Sequence, residues 1–203
     1  MDIQQESSVV VSVPGFLGAQ RRALLDFVLS QEPCFREAPV SQGHSRAVNA
    51  AVRRARLLDS LGALEGAFVD RLKEQLPSAV DRLGCAFTPG AIEVQATASN
   101  DGDFFGLHQD GGPDSPREVS FVYFLHDEPR RFTGGELRIC HTREVDGRLL
   151  AADTRLTPEG DTLVFFASRR AHEVLPVAVP SLAFADSRFT VNGWVSRSGP
   201  RIK

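Results

Sequence analysis

The residues in this chain best suited to chemistry are His108 and Asp110, in Leu107-His108-Gln109-Asp110, and His172, some sixty residues later in Ala171-His172-Glu173. His108 and Asp110 are two apart, so on an extended strand their side chains leave the same face. An imidazole and a carboxylate placed in that way can grip a divalent cation from one side, and His172 is the best-placed third ligand. Two histidines and one carboxylate on one face of a metal leave positions open on the other, as a reactive site requires and a closed structural site does not. A lone H-x-D arises often by chance, so its weight depends on the elements around it.

Those elements are strands. From Ala91 onward the chain reads as strands and turns. Ile92 to Ala98 (IEVQATA) alternates apolar and polar residues as a half-buried strand does, and Asn100-Asp101-Gly102-Asp103 is a turn. Phe104 to Asp110 is expected to be the strand that carries the first two ligands, with Gly111 to Pro116 as a loop beside them. Val119 to Leu125, Glu136 to Cys140, Arg148 to Leu156, Thr162 to Phe166, Glu173 to Val179 and Phe189 to Val195 complete about eight strand candidates. Ahead of them, Ser8 to Val13 reads as a short strand ended by Pro14-Gly15, and Phe16 to Leu29 as an amphipathic helix. Glu32 to His44 is expected to be a loop. Leu57 to Leu83 carries a helical stripe that Pro77 should split into two helices. Arg46 to Arg56, with Arg46, Arg53, Arg54 and Arg56, reads as a solvated charged face, an anion-binding role being the alternative. The order of elements predicts a mainly β protein: a double-stranded β-helix (jelly-roll) core over about 91–197, buttressed by N-terminal α-helices over about 16–84, in one domain spanning 1–203.

Composition narrows the function classes. A hydrophobic content of 42% in 203 residues suits one full core, and a net charge of -3 argues against a nucleic-acid surface built on bulk charge. Cys34, Cys85 and Cys140 are odd in number and widely spaced, which suggests reduced structural thiols rather than a disulfide framework or zinc knuckle. The start, MDIQQESS, has no basic region followed by an apolar run, and no stretch approaches the length of a membrane span. The expectation is a cytoplasmic protein that binds neither nucleic acid nor membrane, with its oligomeric state open.

DGDFFGLHQD, FVYFLH followed by FTGGELRI, DTLVFFASRRAHEVLPV and SRFTVNGW lie in that order between Asp101 and Trp194. This stretch resembles the prolyl-4-hydroxylase-like branch of the 2-oxoglutarate, Fe(II)-dependent dioxygenases, and VVVSVPGFLGAQRRALLDFV looks like the first strand and helix of the same group. The resemblance implies that His108, Asp110 and His172 hold Fe(II). It also implies that Arg188 holds the distal carboxylate of 2-oxoglutarate, with Thr190 two along the same strand adding a hydroxyl. A guanidinium suits that task because its planar fork meets both oxygens of a carboxylate. Trp194 has a family parallel near the cavity, and Trp194 and Arg117 are taken as candidate substrate contacts. Relatives carry tyrosine where this chain has Phe105, Phe124 beside Tyr123, and Ser99, which leaves more of the co-substrate to Arg188 and Thr190. His126 and His141 read as surface residues, and His44 as a loop residue that could line the cavity mouth.

The implied activity is hydroxylation of an unactivated C–H bond of a peptidyl or free amino acid, proline-type favoured, or of a related small metabolite. Dioxygen and 2-oxoglutarate are consumed, succinate and carbon dioxide are released, and ascorbate serves as an accessory reductant. Two other readings stand beside it: a catalytically silent jelly-roll binding domain, and a cupin-type metalloenzyme that does not use 2-oxoglutarate. Neither would need Arg188, and neither would form succinate.

Overall fold

The computed structural model describes residues 8–42, 45–145 and 148–199. In chain order the elements are β1 (Val11–Pro14), α1 (Arg21–Ser30), β2 (Arg36–Glu37), β3 (Val40–Gln42), β4 (Ser45–Ala47), β5 (Arg53–Arg54), β6 (Arg56–Leu58) and α2 (Glu65–Arg82). They continue with β7 (Pro89–Ser99), β8 (Phe104–His108), β9 (Arg117–Leu125), β10 (Thr133–Gly134), β11 (Leu137–Val145) and β12 (Arg148–Leu156). The last are β13 (Thr162–Ala167), β14 (His172–Val174), β15 (Val177–Ala178) and β16 (Arg188–Arg197). Two antiparallel sheets dominate: a major one ordered β1-β13-β9-β16-β7-β6-β2 and a minor one ordered β12-β11-β14-β8-β5. This is the expected mainly β core with N-terminal helices.

Strict alternation along the major sheet decides what each face does. Phe121, Tyr123 and Leu125 of β9, Leu163 and Phe165 of β13, and Val191 and Val195 of β16 join Leu24, Leu25 and Val28 of α1 and Phe68, Leu72, Leu76 and Ala79 of α2 in one core. The intervening residues point the other way. Val122 and Phe124, with Val164 and Phe166, meet Leu137 and Ile139 of the minor sheet in a second, smaller core. On β7 and β16 the same inward face is polar: Gln95, Thr97, Ser99, Arg188, Thr190 and Asn192 line a cavity between the sheets. One end of the sandwich is therefore sealed by side chains, and the other is a polar recess.

Three expectations about the N-terminal half change. Arg56–Leu58 is strand, pairing with both β7 and β2, although its leucines fall on a helical stripe. The helix begins later, after Ser60, whose Oγ accepts from Gly62 N at 3.0 Å, while the Glu65 carboxylate accepts from Leu61 N at 3.1 Å. Those are local satisfactions of helix-start N–H groups. Pro77 does not split α2, which runs unbroken to Arg82. Pro77 is exposed, so the carbonyl its ring leaves unbonded faces water while the buried stripe of Leu72, Leu76 and Ala79 continues past it. The span Glu32 to His44 is not all loop, since it holds the short strands β2 and β3.

Candidate metal centre and co-substrate pocket

The two outer ligands of the expected triad face each other across a strand pair. In the antiparallel pairing of β14 with β8, His172 stands opposite His108, and their ring centres are 4.2 Å apart. Asp110 is not on the strand as expected, because β8 ends at His108. The chain turns there and is tied down by Asp110 N and Gly111 N, which both donate to Ser168 O, at 3.1 and 2.9 Å. That anchor, rather than strand periodicity, carries the carboxylate back beside the imidazoles. Asp110 Oδ1 lies 3.5 Å from His108 Nε2, and Oδ2 lies 3.3 Å from His172 Nε2. One ligand atom from each residue falls within 4.8 Å of the others.

The surroundings fix which atoms point inward. His108 Nδ1 sits 2.9 Å from Gly106 O, and His172 Nδ1 sits 2.9 Å from Arg170 O. A carbonyl at that place holds the proton on Nδ1 and leaves the Nε2 lone pair for a metal. Ser120 Oγ donates to Asp110 Oδ2 at 2.7 Å and itself lies 2.9 Å from Ser168 Oγ. Phe105 stacks on His108 with centres 3.6 Å apart, and Phe166 meets His172 edge-on at 4.7 Å. Without a metal, burial works against charge on Asp110, but the hydrogen bonds and charges of the two imidazoles in their protonated form outweigh it and hold the carboxyl well below its usual range; a divalent cation would take the place of those Nε2 protons. The donor set of two neutral nitrogens and one anionic oxygen, open on one side, fits a divalent iron.

Deeper in the same cavity lies Arg188, 2% exposed. Its Nε donates to Gly135 O at 2.7 Å, and its Nη2 is buried without any hydrogen-bond partner. The approach depends on Gly135, whose φ is +69° and where a Cβ would come within 2.5 Å of Arg188 Cδ. Burial pulls the guanidinium down to about 10, partly opposed by the carboxylate of Glu136. A buried cation with an empty donor direction is a costly arrangement that an incoming carboxylate would relieve. Thr190 follows two residues on and faces the same space, with Oγ1 3.4 Å from Asn192 Oδ1, which also accepts from Thr97 Oγ1 at 2.8 Å. Ser99 stands opposite Arg188 in the pairing of β16 with β7.

Other expected residues divide. Trp194 lines the cavity. Arg117 does not; its guanidinium stacks 3.6 Å from the Trp194 ring and is gripped by both oxygens of Glu93, at 3.0 and 2.6 Å, so it braces the tryptophan. Tyr123 faces the helices and donates to Asp161 Oδ1 at 2.8 Å, whereas Phe124 lies 5.3 Å from the Arg188 guanidinium. Arg53 corrects the solvated-face reading, since it lines the cavity with its guanidinium 4.6 Å from the centre of Phe105. His126 is buried rather than superficial, with Nε2 3.0 Å from Pro158 O and its ring edge-on to Phe132. His141 is partly exposed, near Thr154 Oγ1 at 3.2 Å. His44 lies outside the described residues. The three cysteines are free. No described helix is long and apolar enough to cross a membrane.

Sequence reasoning overlooked Ser120, Ser168, Asn192 and Thr97. The signal for two of them was present: Ser120 is the polar exception on an apolar strand, and Asn192 continues the period-two row from Arg188 and Thr190. Nothing local marks Ser168, whose partner is 48 residues away.

Comparison with known proteins agrees with this geometry. The family model described as the 2OG-Fe(II) oxygenase superfamily matches residues 94–196. An uncharacterised PKHD-type hydroxylase from Synechocystis sp. is 38% identical over 141 residues, covering 66% of this chain and 46% of that protein. The chain thus spans about half the length of this curated relative. Among solved structures, a prolyl-4-hydroxylase from Pseudomonas putida superposes with a TM-score of 0.64 at 21% identity, covering 94% of each chain. A prolyl hydroxylase from Trichoplax adhaerens, in complex with a peptide fragment of the hypoxia inducible factor oxygen degradation domain, gives 0.68 at 20% identity, covering 96% of this chain and 86% of that one. These structural likenesses concern the fold.

Proposed function

This chain belongs to the 2OG-Fe(II) oxygenase superfamily, and from that premise we propose that it is a hydroxylase acting on an aliphatic carbon of an amino acid, free or within a peptide. The observation that carries the co-substrate assignment is the unpartnered, fully buried Nη2 of Arg188, in the same cavity as His108, Asp110 and His172. Nε2 of each histidine and the Asp110 carboxylate would hold Fe(II), and Arg188, helped by Thr190, would hold the far carboxylate of 2-oxoglutarate. When bound, iron and 2-oxoglutarate supply oxidative decarboxylation by dioxygen coupled to hydroxylation of a C–H bond, with release of succinate and carbon dioxide.

The residues of the chain do the rest. Ser120 fixes the Asp110 carboxylate and the Ser168 carbonyl its backbone, and the carbonyls of Gly106 and Arg170 fix the two imidazoles. Val122, Leu137, Phe166 and Val174 make an apolar wall that excludes water from the metal face. Trp194, backed by Arg117, is the candidate substrate contact. The test is to titrate 2-oxoglutarate anaerobically into the Fe(II)-loaded protein, then admit air. A visible charge-transfer band followed by succinate is expected. Iron binding with neither band nor succinate would overturn the proposal in favour of a barrel that does not use this co-substrate.

A further inference from the structure

Resting on the co-substrate reading above, we propose that Gln95 is a specificity-determining residue that pairs with a secondary amide of the substrate, so that the target residue is amide-linked rather than a free amino acid. The first support is an unmet hydrogen-bonding group. Gln95 lies on the inward face of β7, lines the cavity and is 8% exposed, yet its carboxamide has no hydrogen-bond partner among the described residues. A primary amide brings an acceptor oxygen and a donor NH₂ group, and burying them unmet is costly unless water or a ligand meets them. Thr97, the next inward residue of the strand, shows the contrast, since its hydroxyl donates to Asn192 Oδ1 at 2.8 Å.

The second support is position. Gln95 stands opposite Asn192 in the pairing of β7 with β16. The next inward residue of β16, Trp194, stands opposite Ser120 of β9, and Ser120 Oγ donates to the metal ligand Asp110. Four residues of strand, about 13 Å, separate Gln95 from Ser99, which stands opposite Arg188. Gln95 therefore belongs to the metal end of the polar recess and not to the end that takes the far carboxylate. The third support is complementarity. Asn192 Oδ1 already accepts from Thr97 and Thr190, so its Nδ2 is left to donate. The facing pair thus presents donors from both amides and one open acceptor, Gln95 Oε1. A carboxylate would meet the donors but repel Oε1, and an ammonium would do the reverse. A secondary amide meets both, its carbonyl accepting and its N–H donating. Thr97 and Thr190 beside the pair are uncharged as well, so this part of the wall is built for a neutral polar group.

The protein loaded with Mn(II), a non-reactive substitute for iron, is titrated calorimetrically with the N-acetyl N′-methylamides of proline, valine, leucine, isoleucine and lysine, with and without 2-oxoglutarate. The free amino acids, and analogues in which an ester oxygen replaces one amide N–H, are titrated alongside. At least one blocked amide should bind at least tenfold more tightly than its free amino acid. An ester analogue of it should be weaker by roughly tenfold to hundredfold, the range for losing a hydrogen bond and leaving a buried partner unmet. In Gln95→Met, which keeps the length without the carboxamide, the amide should weaken to the level of its ester. Mn(II) and 2-oxoglutarate should titrate into that variant as into the wild type, which shows that the site is intact. No blocked amide binding, free amino acids binding as well as blocked ones, or an ester penalty that survives Gln95→Met would each overturn the proposal. So would loss of 2-oxoglutarate binding in Gln95→Met, which would place Gln95 on the co-substrate. A wild type that prefers amides through Gln95 yet does not bind 2-oxoglutarate would sink the co-substrate reading and leave this one standing.

Discussion

Arg188→Met should separate binding from stability, moving the two in opposite directions. At neutral pH the guanidinium is held charged in a site that pulls it down to about 10. At 1.36 kcal/mol per pH unit that burial costs the folded protein on the order of 3 kcal/mol. The bond from Nε to Gly135 O offsets part of it, but Nη2 has nothing to donate to. Methionine of similar length removes the orphan donor and fills much of the space, so the ligand-free variant should be as stable as the wild type or more so, by about 1–2 kcal/mol. Binding should go the other way. A pair with the far carboxylate of 2-oxoglutarate, screened from water, contributes about 2–5 kcal/mol, so affinity should fall roughly thirtyfold to several thousandfold. Arg188→Lys should recover part of the affinity, keeping the charge without the fork. Urea unfolding of the metal-free proteins gives the first quantity, and titration of 2-oxoglutarate into the metal-loaded proteins gives the second. A variant that is much less stable and binds 2-oxoglutarate normally would refute the reasoning on both counts.

Three further outcomes are expected. Asp110→Ala deletes the one anionic donor of the triad and should abolish most Fe(II) binding and all turnover; full iron occupancy by metal analysis would show that the carboxylate is not a ligand. Ser120→Ala frees the Asp110 carboxylate from its 2.7 Å hydrogen bond and should weaken metal binding by about tenfold to hundredfold with the fold intact, as measured by competition with a chelator. Asp161→Ala should cost about 2–4 kcal/mol in urea unfolding, because one carboxylate accepts from Leu17 N at 2.8 Å, Gly18 N at 2.9 Å and the Tyr123 hydroxyl at 2.8 Å. An unchanged unfolding midpoint would mean that this tie between the first helix and the sheet contributes nothing.

The sequence by itself determined the elements that repeat with a short period. Alternation along Ile92 to Ala98, Val119 to Leu125 and Phe189 to Val195 is a local property, because the two faces of a strand meet different surroundings wherever the strand is placed. His108, Asp110 and His172 stood out as candidates because chemistry restricts which residue types can hold a metal, and Arg188 because SRFTVNGW resembles the family's motif; that the four line one cavity follows from the fold. Arrangements that depend on distant partners were decided only by the tertiary structure. Arg56–Leu58 has the leucine spacing of a helix, yet the free edges of β7 and β2 claimed it as a strand. Asp110 reaches the metal face through a turn tied to Ser168, not through the pleat of a strand. Nothing in the local sequence marks the roles of Arg53, Arg117 and His126. Packing made the first a cavity wall, the second a brace for Trp194 and the third a buried ring between carbonyls. A charged or aromatic side chain has no role until a surface is placed against it, and for these three that surface comes from residues far along the chain.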